Sequence, residues 1–144
     1  MAIDRFQAFI LFGFCAISGA VLAQQANPLI GKWRGVIHTT DNYNMAFEFT
    51  YFPDNTFAQT VAVPTNRDTG TGSGIVQTHG QYRITSAHSV ELNVLETKLC
   101  AAGDANSCAP MPVKAAATQT ISFRMEGPDK MINTDNGQVT YRVR

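Results

Sequence analysis

The sequence predicts an all-β protein, a small antiparallel up-and-down barrel of about eight strands. Three observations carry that expectation. Short runs with period-two alternation recur between Ile30 and Arg144. Turn-forming clusters separate them, among them Pro53-Asp54-Asn55, Gly127-Pro128-Asp129-Lys130 and Asp135-Asn136-Gly137. Little in that span has the apolar spacing of a helix. Repeated hairpins must bury one face of a continuous sheet, and closing the sheet removes its exposed edges. A β-sandwich is the architectural alternative.

The first element is not part of that sheet. Met1–Ala23 has the layout of a secretory signal peptide: a short start with Arg5, an apolar stretch from Phe6 to Phe14, then small residues ending at Ala23. Cleavage after Ala23 is expected, with Ala26 as the alternative, which leaves residues 24–144 as a single domain. A retained membrane helix is the competing reading. The run Phe6–Ala23 reaches only the lower edge of a spanning length, about 18 residues, and has no basic stop-transfer flank. Cys15 follows Phe14, where a lipid-anchored cysteine needs a small residue. The expected location is therefore periplasmic or extracellular, with no transmembrane segment in the mature chain.

Strands are then expected in order. Ile30–Thr40 comes first, with Trp33, Gly35 and Ile37 on one face. Met45–Phe52 places Met45, Phe47, Phe49 and Tyr51 together, opposite Ala46, Glu48 and Thr50. Phe57–Val63 aligns Phe57, Gln59, Val61 and Val63. Pro64–Ser73 is a polar linker. Gly74–Thr78 forms a strand that Gly80 breaks, and Gln81–Thr85 is a further strand or its continuation. Ser89–Leu99 alternates Val90, Leu92 and Val94 with Glu91, Asn93 and Leu95. Cys100–Ala117 reads as irregular. Thr118–Met125 aligns Ile121, Phe123 and Met125. Met131–Thr134 and Gln138–Arg144 pair across the Asp135-Asn136-Gly137 turn, where asparagine and glycine accept positive φ. In the last strand Val139, Tyr141 and Val143 are read as the inward set.

Composition narrows the function classes. Eleven basic and eleven acidic residues give zero net charge, and Asp4 and Arg5 leave with the signal segment as a cancelling pair. The basic residues are scattered, so nothing steers the surface toward nucleic acid or an anionic membrane. A mature chain of about 120 residues supports one modest core. Cys100 and Cys108 are the cysteines that remain after cleavage, and they bracket a compact polar loop. In an oxidising compartment they are expected to form a disulfide.

No catalytic or metal-binding pattern emerges. His38, His79 and His88 lack zinc-ligand spacing. Glu48 and Glu91 fall on outward phases. Thr69–Gly74 is rich in glycine but lacks the lysine and hydroxyl residue of a phosphate loop, and no cofactor is implied. The aromatic face is the functional lead. Phe47, Phe49, Tyr51, Gln59, Tyr82, Phe123 and Tyr141 are the candidate ligand-binding residues, with Phe57 in the same core. The tyrosines and Gln59 supply polar handles in an apolar interior. A buried Gln59 amide needs either a partner or a place near the mouth.

Gly31-Lys32-Trp33, followed by Arg34-Gly35, resembles the first-strand motif of lipocalins and small bacterial lipocalin-like (calycin-like) barrels. Phe49–Phe57 is similar to their first hairpin. The resemblance implies a lipocalin-like barrel over Ile30–Arg144. It also implies that Trp33 closes one end, with Arg142 or Arg144 packed over the indole, where guanidinium can stack and still donate hydrogen bonds. The resulting expectation is a non-catalytic, exported binder of a small apolar or amphipathic molecule, loaded near Asn66–Ser73 or Gly103–Pro112. The alternative is a protein-binding accessory module or inhibitor that presents the Cys100–Cys108 loop. An enzyme would need a histidine and a carboxylate to converge in a cleft.

Overall fold

A computed structural model describes residues 26–38, 44–63, 74–102, 104, 106–113 and 118–144. The expected signal segment, the end of the expected first strand with the turn after it (39–43), the Asn66–Ser73 loop and Gly103 lie outside the described residues. Among the described residues all regular structure is β. The strands are β1 (Gly31–His38), β2 (Asn44–Tyr51), β3 (Thr56–Val63), β4 (Gly74–Ser86), β5 (Ser89–Ala101), β6 (Cys108–Met111), β7 (Thr118–Met125), β8 (Lys130–Asn133) and β9 (Val139–Arg142). Each pairs antiparallel with its neighbours. The order runs β4-β3-β2-β1-β9-β8-β7-β5, and β4 pairs with β5 to close the ring. The fold is a small up-and-down barrel with β6 as an extra strand.

Burial of one face explains why these segments are strands. Trp33, Phe47, Phe49, Tyr51, Phe57, Tyr82, Val90, Leu92 and Phe123 form the inner core, with Leu29 plugged into its closed end. Each strand contributes alternate residues, so the period-two pattern places one set inside and the other in water. The pairs Trp33↔Phe49 and Phe49↔Gln59 show the in-phase faces in register. Phe49 stacks on Phe57 at 5.0 Å, and Tyr51 meets Tyr82 edge-on at 4.9 Å.

Three expectations are corrected, and one irregularity that the sequence did not signal is found. Gly80 does not break a strand: β4 runs unbroken through it. The glycine is needed because the Phe57 ring sits where a Cβ would be, 2.7 Å away, and the Asn93 carbonyl crowds the same place. Next, the register between β4 and β5 slips at this point. Gly80 pairs with Val94 but His79 pairs with Glu96, leaving Leu95 as the extra residue of a bulge. The bulge inverts the alternation: Val90, Leu92 and Val94 face in before it, Thr97 and Leu99 share that face after it.

The segment after Cys100 is not wholly irregular. β6 pairs with Thr97–Cys100, and β7 pairs with Ser89–Asn93 on the same edge of β5. β6 and β7 are thus two lengths of an interrupted strand. Pro110 is tolerated because β6 lies on the edge, and Pro112 stands where it ends. Finally, Tyr141 faces outward. β1 and β9 pair as Trp33↔Arg142, Arg34↔Tyr141 and Gly35↔Thr140. Cross-strand partners share a face, so Trp33 takes Arg142 and Thr140 inward and leaves Tyr141 with Arg34 outside. Thr140 is buried and Tyr141 is 58% exposed.

Candidate ligand site

The closed end is built first. Gly31 has φ +124°, a conformation that disfavours a side chain, and a Cβ there would lie 2.6 Å from Arg142 Nη1. The space goes to the guanidinium, whose carbon stands 4.2 Å from the Trp33 ring centroid. Arg142 also donates to the carbonyls of Ile30, Pro28 and Pro128. The Trp33 indole N–H donates to the Leu29 carbonyl at 2.8 Å. Arg144 does not share this position; it pairs with Asp129 at the exposed C-terminus. The β2–β3 turn is tied to the same end. Tyr82 donates its hydroxyl to the Phe52 carbonyl and accepts from Asn27 Nδ2, both at 2.8 Å. Asp54 accepts from the Thr56 amide and hydroxyl, which lowers its pKa.

Above this floor lies an inner cavity of about 160 Å³. Phe47, Phe49, Tyr51, Gln59 and Phe123 line it, as do Trp33, Val90, Leu92, Ile121, Met131 and Thr140. Tyr82 does not: its hydroxyl is engaged by Phe52 and Asn27, so it holds the fold together and is not available to a ligand. Tyr141 is excluded by its outward phase.

The polar groups of the cavity are distinctive. The Tyr51 hydroxyl and the side-chain amides of Gln59, Gln119 and Gln138 make no hydrogen bond with any described residue. None of their atoms is sealed from solvent, because no fully buried side-chain N or O among the described residues lacks a partner. They therefore face open space within or at the rim of the cavity. Burial raises the Tyr51 pKa well above its ordinary value, with nearby Tyr82 adding to the shift, so the hydroxyl stays protonated. Gln119, Asn136 and Gln138 went unnoticed in the sequence because nothing local separates an exposed polar residue at a cavity rim from any other exposed one; Gln119 and Asn136 are exposed.

The barrel wall has a seam. β9 pairs with β1 only from Trp33 to Gly35, so Val36–His38 are paired with β2 alone. An outer groove of about 840 Å³ runs along this stretch, lined by Val36, His38, Ala46, Val139 and Tyr141 among others. Phe47, Asn136 and Gln138 border both the groove and the inner cavity. The two spaces meet at these residues.

The remaining candidates fall elsewhere. Cys100 and Cys108 are cross-strand partners with their sulfurs 2.02 Å apart, at bonding distance. Cys100 also pairs with Ile75 of β4, away from the floor. His38 contacts Asn44 Oδ1 at 2.7 Å, while His79 is exposed on β4 and His88 is exposed in the β4–β5 turn. Among the described residues no three His, Cys, Asp or Glu side chains form a metal-binding group. Glu48 is held below the usual carboxylate range by hydrogen bonds from Lys32 and Arg34 on the outer surface. No helix among the described residues is long and apolar enough to cross a membrane. Compared with known proteins, the chain matches no protein-family model and no curated sequence.

Proposed function

We propose that this chain is an exported, non-catalytic binding protein for a small apolar or amphipathic molecule. The observation that carries the reading is a partly open interior cavity lined by aromatic and aliphatic side chains, at which the Tyr51 hydroxyl and the Gln59 amide stand. Gln59 lies on the inner phase, opposite Phe49, with its amide open to solvent and no side chain among the described residues answering it. A ligand with one polar end would satisfy it. The seam between β1 and the β8–β9 hairpin, bordered by Phe47, is the route by which the ligand reaches the interior. Export is supported by the charge, apolar and small-residue order of Met1–Ala23, and by a cysteine pair suited to an oxidising compartment.

The test is native mass spectrometry of the mature protein purified from its own host compartment. The expected result is a small-molecule adduct that denaturation releases. A ligand-free monomer that takes up no small molecule opposes the proposal.

A second reading has its own support. Leu99 and Met111 are 45% and 40% exposed on the same face of β5 and β6, beside the Cys100–Cys108 pair. Such a patch suits a protein-binding accessory module, and a cross-linked loop loses less entropy on docking. Recovery of the native protein in a protein complex that Leu99→Asp abolishes would place this reading first.

A further inference from the structure

Resting on the ligand-binding reading, we infer that the inner cavity selects a compact, uncharged molecule with a carboxamide or hydroxyl at one end and an aromatic or branched apolar body. Charge is the first argument. Among the described residues, no Asp, Glu, Lys, Arg or His lines the cavity. Arg142 stacks on the lining residue Trp33 but is not itself a lining residue, and its nitrogens serve the carbonyls of Ile30, Pro28 and Pro128. A carboxylate or ammonium moving inside would lose its water and find no counter-charge.

The polar groups give the second argument. Each glutamine amide presents both a donor and an acceptor, and the Tyr51 hydroxyl presents both as well. Their natural complement is a neutral group with the same dual character. Burial keeps Tyr51 protonated well above neutral pH, so its donor persists. Size is the third argument. A dry cavity of about 150 Å³ accommodates a benzene-sized molecule, and this one measures about 160 Å³. The rings of Trp33, Phe49 and Phe123 supply aromatic surface for the apolar body. A long-chain fatty acid would exceed the inner volume, and its carboxylate would find no counter-charge among the residues lining it.

Trp33 is the only tryptophan in the chain and borders the cavity, so its emission reports occupancy. The experiment titrates the full mature chain with benzamide, benzoate, decanol and decanoate, following Trp33 fluorescence and calorimetric heat. Benzamide is expected to bind saturably, with benzoate, of nearly the same shape, at least about ten-fold weaker. Gln59→Leu and Tyr51→Phe, which remove polar groups without adding bulk, should each weaken benzamide. Benzoate binding as tightly as benzamide overturns the uncharged class but leaves interior binding standing, as does binding of decanol or decanoate alone. Full benzamide affinity in both variants overturns the assignment of the polar end. Failure of all four probes to bind overturns the ligand-binding reading itself.

Discussion

Arg142 and Trp33 form the floor of the barrel as a stacked pair, with the guanidinium carbon 4.2 Å from the indole centroid. The arrangement joins the first and last strands of the barrel. Trp33 lies on the first strand and Arg142 on the last, and the carbonyls of Pro28 and Ile30 bind the arginine from the segment before β1. Replacing Arg142 by Ala removes the stacking and leaves several carbonyls unpaired, at a cost of about 3 kcal/mol. Arg142→Lys should recover less than half of this, because an ammonium lacks the planar fork. Arg144→Ala, at an exposed pair, should stay within about 0.5 kcal/mol of the parent. Chemical denaturation followed by Trp33 emission checks all three, and an Arg144 effect equal to that of Arg142 would contradict the assignment.

Gly31 and Arg142 occupy complementary space, so Gly31→Ala should behave like a weakened Arg142. The new Cβ would sit in a disfavoured φ and against Arg142 Nη1. The expected loss is about 2–3 kcal/mol. Gly80→Ala should cost at least as much, because Phe57 and the Asn93 carbonyl already fill the site. In Gly80→Ala, Phe57→Leu should restore part of the loss by freeing ring space. Thermal unfolding of the single and double variants measures the coupling.

Tyr51 makes stability sensitive to alkali. Its folded pKa is raised above the unfolded value of 10.0. The native state therefore holds its proton more tightly than the unfolded state. The resulting stability is fully present below pH ~10 and falls as pH rises beyond it. Tyr51→Phe should flatten that alkaline decline, read as the denaturation midpoint between neutral pH and pH ~11. Glu48 acts with the opposite sign. Its carboxyl is lowered by Lys32 and Arg34, so its contribution is present above its ordinary value and lost as pH falls. That effect should be small, since the partners are exposed and screened.

The Cys100–Cys108 link closes a short loop on the β5–β6 extension, outside the ring of eight strands. Its removal by Cys100→Ala with Cys108→Ala should lower stability by about 2–3 kcal/mol while the barrel persists. Circular dichroism with and without reductant tests this. Loss of all β signal on reduction would show that the extension holds the ring closed.

Much of this architecture was legible because strand signals are local. β2 was expected at Met45–Phe52 and occupies Asn44–Tyr51, with Phe47, Phe49 and Tyr51 on the expected inner face. β7 occupies Thr118–Met125 as expected. Bulky and β-branched residues at alternate positions, bounded by Pro, Asn and Gly, leave few other conformations for such segments. β6 was hidden because four residues carrying Pro110 have little strand signal of their own; they are strands by pairing with an extended β5.

Alternation names two faces without saying which is inside. In β9 the apolar set Val139, Tyr141 and Val143 looked inward by composition, yet its register against Trp33 turned Thr140 and Arg142 inward instead. The same limit hid the bulge at Leu95, which inverts the faces of β5 midway, and the Phe57–Gly80 contact that keeps β4 continuous. The chain alone set the strands, the turns and the neutral charge balance, because these follow from neighbouring residues and their conformational preferences. Register, closure and the cavity beside Gln59 were set by the folded barrel, because they depend on how side chains far apart in sequence divide a shared interior.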